Sequence, residues 1–257
     1  MTFFKGHTDQ ILKQAIAYGT SEGVKKAWLK RPRAKPEWTK VKTAKDAALQ
    51  AMHFFPKIKW GFWGADVDTI NASMPKLFEL LNEYPNVAAM TKIVGTPTSF
   101  SSQPGVGKGP HVGGIAMYSP TYRSILFNPH YYGTGKYEYF KAACKGAEAS
   151  GFHPPGSGDV ASVVTHEFGH MVSGYLHKQF NQKNLPDHTK QFLTQHYLKK
   201  GQGLGKPEET SQYSKSTQNG DYYEWFAESF VALHHAPKAK WSAHTKALAK
   251  ALKGSGA

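Results

Sequence analysis

The segment from Val160 to Tyr175 constrains this 257-residue chain more than any other, because it sets His166-Glu167-Phe168-Gly169-His170 inside a long apolar run. With 13 histidines in the chain, an H-E-x-x-H pattern is expected by chance only roughly 0.03 times, so its presence is a signal. Four residues advance an α-helix by about 40° past one full turn, which sets both imidazoles on one side of it. With His166 at 0° on a helical wheel, Val160, Ala161, Val164, Phe168, Met171, Val172 and Tyr175 fall at about 120° to 240°. His170 lies near about 40° and Glu167 near about 100°. Burying the apolar arc turns both imidazoles toward a common space with the carboxylate beside them. The competing reading is a satisfied histidine pair beside a polar cleft.

Two imidazoles suit a divalent metal, and a tetrahedral zinc that keeps a water needs one further protein ligand. His177 nearly completes an H-E-x-x-H-x-x-G-x-x-H pattern but falls one residue late, about 10 Å beyond His170 along a continuous helix. No methionine follows Met171 to form the turn that goes with that pattern. Six acids follow His170: Asp187, Glu208, Glu209, Asp221, Glu224 and Glu228. Two of them sit in the helical pattern from Asp221 to Leu233. With Glu224 at 0°, Glu228 lies near about 40°, while Tyr222, Phe226, Phe230 and Leu233 cluster at about 160° to 240°. Both carboxylates thus face away from the apolar arc. The competing reading gives Glu224 to a capping box with Asp221 and leaves Glu228 solvated.

Around these two segments the pattern is that of an α+β chain. Residues 7 to 30 carry helix-like apolar spacing broken by Gly19 and Gly23, and the Pro- and Arg-containing stretch 31 to 36 reads as a linker. Ala44 to Phe55 reads as a helix capped by Thr43. Leu77, Leu80 and Leu81 mark a helix ending near Pro85, and Val87 to Val94 reads as a strand ending at Gly95. Residues 96 to 112 form a long Gly/Pro/Ser loop. Two strand-like runs, 113 to 119 and 122 to 128, are separated by Pro120-Thr121 and predict an antiparallel hairpin. Asp159 is the expected N-cap of the H-E-x-x-H helix. The expected organisation is a basic helical extension over 1–58, a catalytic domain over 59–236 and a basic tail or helix over 237–257.

The formal charge of +14 is concentrated at the two ends: residues 61 to 236 hold fourteen cations against fourteen acids. Only three of the 32 cations are arginine, so the ends read first as solvated surface and offer at most a diffuse, salt-sensitive contact with nucleic acid or another acidic surface. The single cysteine, Cys144, has no partner for a disulfide or a Cys-based metal site. No apolar run reaches the roughly 18 to 20 residues of a membrane span, and the start of the chain lacks a secretory signal. A soluble protein without membrane contact is therefore expected.

The two motifs together, HEFGH and EWFAESF, resemble those of the gluzincin zinc peptidases of the anthrax lethal factor type, which include Pro-Pro endopeptidases and phage-encoded metallopeptidases. The hairpin GGIAMYSPTYRSILFNP is similar to the strands that precede the active-site helix in that family, so the resemblance covers roughly residues 65 to 235. It implies a zincin-like α+β fold, in which a small mixed or antiparallel sheet packs on the H-E-x-x-H helix and on a C-terminal Glu-bearing helix. It further implies Zn2+ held by His166, His170 and Glu224, with Glu167 as general base and a peptide or protein as substrate. Glu228, one turn past the ligand, would accept a hydrogen bond from a zinc imidazole, as metal-bound histidines generally require. The family commonly places an oxyanion-stabilising tyrosine seven residues before the glutamate ligand. Position 217 is threonine here, and Tyr213, in what looks like a longer version of that loop, would take the role. The substrate would pair along the edge strand through Gly114, Ile115, Ala116, Met117 and Tyr118. A phage-encoded member would be intracellular, in the host cytoplasm, or virion-associated, and a mature secreted form is the alternative.

The alternative function is a zinc-containing binding or structural module without turnover, associated with a virion or nucleic acid through the basic ends. Glu167 argues for turnover, since a structural site has no use for a base and usually closes with four protein ligands.

Overall fold

A computed structural model describes residues 36–96, 114–182, 184–198, 209–215 and 223–257. The helix-like pattern over 7–30, most of the linker, nearly all of the 96–112 loop, Gly113 and the Asp221 cap lie outside the described residues. No helix among the described residues is long and apolar enough to cross a membrane. The chain divides into two compact units. The described residues up to 82 with those from 89 to 140 form one, and residues 83–88 with those from 141 onward form the other.

The first unit contains helix α1 (Ala44–Phe54), strand β1 (Lys59–Phe62) and most of helix α2 (Val67–Glu83). It continues through β2 (Ile93–Thr96), β3 (Ala116–Ser119), β4 (Ser124–Phe127) and α4 (Pro129–Tyr132). Helix α3 (Pro85–Met90) lies at the boundary between the units. Thr43 caps α1 by accepting from the Asp46 amide, as the sequence predicts. The sheet is mixed, in the order β1-β2-β4-β3, with β1, β2 and β4 parallel and β3 antiparallel to β4. The expected hairpin is present, though its strands are shorter than their apolar runs. Gly95 lies opposite Gly61 in the parallel pair, and Trp60, Phe62, Phe78, Ile125 and Phe127 are fully buried.

The predicted strand over Val87 to Val94 is corrected. Pro85–Met90 is a helix, and only Ile93–Thr96 enters the sheet. Proline is favoured in a first helical turn, and Ala88, Ala89 and Met90 are good helix formers, so local propensity outweighs the apolar run. The N-terminal part of the described chain is tied into the first unit. Val41 exchanges two hydrogen bonds with the Asn71 side chain, at 3.0 and 2.9 Å, and Trp38 packs edge-on against Phe78. Residues 36 to 58 thereby cluster with the sheet, so the described part of the basic extension belongs to that unit.

The second unit is helical. It contains most of α5 (Tyr137–Ala149), α6 (Val160–Asn181), α7 (Asp187–Leu193) followed by a π-helical turn (Thr194–Leu198), and α8 (Gln212–Lys215). Then come α9 (Tyr223–His235), a short 3-10 turn (Lys238–Lys240) and α10 (Ala243–Leu252). The Asp159 carboxylate caps α6 through the Ser162 amide at 2.8 Å. Asp159 also stands 3.6 Å from His235 at the far end of α9, while His166 meets the start of α9, so the two helices run antiparallel. Thr165 fastens the same end through His235 Nε2 at 2.8 Å. Tyr84 closes the apolar side, its ring 5.9 Å from Phe168 and 5.5 Å from Phe230. Gly156, at φ +88, passes directly over the His235 carbonyl, where a Cβ would collide with the backbone.

Behind α9, away from Phe168, sits a buried histidine pair. The His244 ring stacks on Trp225 with centroids 4.0 Å apart, its Nδ1 is 2.8 Å from Ser229 Oγ, and its ring meets that of His196 edge-on at 4.8 Å. Both His196 ring nitrogens and His244 Nε2 are buried without a hydrogen bond. Burial lowers the pKa of His196, and burial with the neighbouring His196 pushes His244 well below the ordinary histidine value. Groups whose folded pKa is depressed bind fewer protons than the unfolded chain. Their contribution to stability is full above the unfolded value of about 6.5 and is lost as pH falls below it, at up to about 1.4 kcal/mol per pH unit for each histidine. His196→Phe, which removes two unsatisfied nitrogens at similar volume, is expected to raise the denaturation midpoint at pH 7.5 and to flatten its decline between pH 6.5 and 5. An unchanged slope in chemical denaturation across that range would contradict this account.

Candidate metal centre

Helix α6 contributes His166, Glu167 and His170, and α9 contributes Glu224 and Glu228. What lets these side chains meet is the residue between the histidines. A Cβ on Gly169 would lie 3.1 Å from Ala227 Cα and 3.1 Å from Phe230 Cβ, tighter than most packed carbons, so the glycine lets the helices approach this closely without a shift of their neighbours. At that separation, His166 Nε2 lies 3.0 Å from Glu224 Oε2, His170 Nε2 lies 3.5 Å from the same oxygen, and the two nitrogens are 3.2 Å apart. Those three atoms form a near-equilateral triangle. A tetrahedral ion with bonds of about 2.05 Å holds its ligand atoms about 3.3 Å apart, so the donor set has the right spacing and the right N/O chemistry for zinc. Glu224 Oε2 is buried and makes no hydrogen bond of acceptable geometry, an acceptor aimed at the same point as the two imidazoles. His177 is not part of this cluster.

Charge in the cluster favours cations. Burial alone would lower the His166 imidazole, but the Glu224 and Glu228 carboxylates on either side of it outweigh that and hold His166 well above the ordinary histidine value. Burial would likewise raise Glu224, yet His166 and His170 hold it well below the usual carboxylate range. The field that draws a proton to His166 would draw a divalent ion to the same place.

Glu228 lies almost wholly out of solvent, with 1% of its side chain exposed. His166 Nδ1 donates to its Oε1 at 2.8 Å, which leaves Nε2 as the nitrogen facing Glu224. Burial raises the Glu228 carboxyl, but His153 and His166 hold it down to about 2, so it is an ionised acceptor at neutral pH. Its remaining partners are His153 Nδ1, at 3.1 Å from each oxygen, and Ser211 Oγ at 2.7 Å.

Tyr213, on α8, stands with its ring 5.8 Å from His166 and 5.2 Å from His153. Burial raises its pKa, and the charges of Glu224, Glu167 and Glu228 raise it further, so the phenol keeps its proton. Glu167 is buried on α6 within electrostatic reach of that hydroxyl. Tyr223 stacks on the His170 ring at 5.0 Å. The residues expected along the substrate strand lie in the other unit. Gly114 and Ile115 accept from Asn128, and Ala116, Met117 and Tyr118 belong to β3, the edge strand beside β4.

His153 and Ser211 are absent from the sequence expectations. Each sits in a loop, where no helical period ties it to a partner. The one available signal is chemical: a buried carboxylate that orients an imidazole has further lone pairs to satisfy. Comparison with family models, with curated proteins and with solved structures gave no match.

The close approach at Gly169 has a measurable consequence. Alanine there gains about 1 kcal/mol in helix propensity against an overpacking cost of about 1–3 kcal/mol, whereas valine has no such offset. Gly169→Val is expected to lower stability by about 3 kcal/mol, and Gly169→Ala by less than half of that. Equal denaturation midpoints for Gly169→Val and the parent chain would contradict the packing described.

Proposed function

We propose that the chain is a zinc-dependent endopeptidase in which His166, His170 and Glu224 hold the metal and Glu167 is the general base. The observation that carries this reading is the triangle of donor atoms 3.0 to 3.5 Å apart, with a glutamate adjoining the first imidazole in sequence. The gluzincin resemblance of HEFGH and EWFAESF supports the same assignment. Three donors converge in this group, rather than the four that usually close a structural zinc site.

Zinc held there would polarise the scissile carbonyl and bring the pKa of a coordinated water toward about 7. The protein groups supply the rest. Glu228 fixes His166 with Nδ1 protonated, so Nε2 carries the lone pair. Glu167 takes the proton of the attacking water and returns it to the leaving amine as the C–N bond breaks. The Tyr213 hydroxyl, held neutral by burial and by the neighbouring carboxylates, donates a hydrogen bond to the oxygen on which negative charge develops.

Glu167→Ala is expected to keep zinc, measured by atomic emission, while cleavage of a mixed peptide library falls at least about a hundredfold. Glu224→Ala should instead lose the metal. Tyr213→Phe should keep zinc and lower kcat about a hundredfold. Normal turnover by Glu167→Ala would remove the proposed base.

Zinc uptake should also be coupled to protons. His166 carries a raised pKa in the metal-free protein, so binding below that pKa must release its proton, and affinity falls as pH is lowered. Titration calorimetry in two buffers of different ionisation enthalpy should show about one proton released at pH 6.5. A pH-independent affinity between 5 and 7 would contradict it.

A further inference from the structure

Glu228 does more than receive one imidazole. His153 Nδ1 is equidistant from its two oxygens, at 3.1 Å, and Ser211 Oγ takes Oε2 at 2.7 Å. An ionised carboxylate can only accept, so both histidines must carry their proton on Nδ1. His166 alone, bonded to Oε1, would leave the carboxylate plane free to turn. A second imidazole shared between both oxygens, with a hydroxyl on the outer one, removes that freedom.

The segments that deliver these donors are fastened to each other. The Gln212 amide donates to Gly151 O at 3.0 Å, the Tyr213 amide to Phe152 O at 2.9 Å, and Gln212 Nε2 to Ser150 O at 3.0 Å. Residues 150–153 and 211–214 therefore act as one clasp over Glu228. Ser211 Oγ is held in turn by Ser214, through its amide at 3.0 Å and its hydroxyl at 2.8 Å. The clasp also carries Tyr213, whose ring stands beside both that of His153 and that of His166. Whatever fixes the clasp to Glu228 thus fixes both the direction of His166 Nε2 and the position of the tyrosine.

We propose that His153 is a positioning residue that acts through Glu228: by pinning the carboxylate it keeps the His166 Nδ1–H bond closed and Nε2 aimed at the metal position, and it locks the clasp that holds Tyr213. The inference rests on the zinc reading and assigns His153 no contact with substrate.

The test compares full-length wild type with His153→Phe, which keeps a ring without a donor, and His153→Asn, whose amide N–H stands near the place of Nδ1–H. Zinc affinity is measured by chelator competition. The Nδ1–H resonance of His166 is followed by NMR in the metal-free protein, a signal that a role confined to anchoring a loop would not alter. His153→Phe is expected to weaken zinc about tenfold, within the range usual for loss of a hydrogen-bonding partner behind a metal ligand, and to broaden the His166 Nδ1–H signal by exchange with water. His153→Asn should restore affinity to within about threefold and sharpen the signal. Ser211→Ala, which removes one donor and leaves the ring in place, should show the same two changes at smaller size, and it decides the matter if His153→Phe fails to fold. Wild-type affinity and an unaltered signal in a folded His153→Phe or Ser211→Ala protein would overturn the proposal, as would failure of His153→Asn to rescue. If wild type itself takes up no zinc, the peptidase reading falls, while the His166 resonance still decides what His153 does.

Discussion

An ionised carboxylate with almost no exposed surface is tolerable only when its oxygens are saturated with donors, and Glu228 meets that condition with two imidazoles and a hydroxyl. Much of the arrangement around the second unit's histidine and glutamate cluster can be traced to this one requirement. The donors come from α6, from the loop before it and from the residue that leads into α8. Satisfying the charge therefore draws three separate stretches of chain to one point. His166 receives its orientation from this arrangement, and its other ring nitrogen joins His170 and Glu224 in a triangle of metal-like dimensions. Removing the carboxylate would leave two imidazole N–H groups and the Ser211 hydroxyl without their buried acceptor.

The helix pair is the frame in which that happens. Gly169 allows the approach, and the cross-links at the far end, from Asp159 and Thr165 to His235, fix the relative slide of α6 and α9. One helical turn of slip would carry Glu224 about 5.4 Å along the axis, well outside the spacing of the donor triangle. The acid pair four residues apart then divides the work: Glu224 faces the two Nε2 atoms, while Glu228, one turn on, takes the opposite nitrogen of His166. Spacing of i and i+4 is what lets two carboxylates address two sides of a single imidazole.

Helix-borne features were legible in the sequence because period carries information there. The wheel places His166 and His170 against the apolar arc, and it aligns Glu224 with Glu228; the Asp159 and Thr43 caps follow from side-chain chemistry at a helix start. Loop-borne partners left no such trace. His153 lies in a Gly-Phe-His-Pro-Pro stretch, and its proximity to Glu228 exists only after the chain has folded across 75 positions. The strand expected over 87–94 shows a different limit. A short apolar run does not distinguish strand from helix, and a proline at its start turned the balance toward helix.

Helix α9 also departs from a simple amphipathic reading. Its Glu224–Glu228 stripe faces the histidines of α6, its Trp225–Ser229 stripe holds His244 of α10, and its Phe226–Phe230 stripe belongs to the aromatic packing with Phe168 and Tyr84. A helix engaged on every side cannot rotate without breaking contacts on all three. Trp225 adds a polar tether, donating from its indole nitrogen to Thr210 Oγ1 at 3.1 Å, directly before Ser211 enters the carboxylate's shell. Glu224 and Glu228 are thus held by the packing of the other two stripes, not by their own hydrogen bonds alone. That separates rigidity from charge: the apolar and histidine-bearing stripes set the angle of the helix, and the acidic stripe presents its carboxylates to the α6 imidazoles.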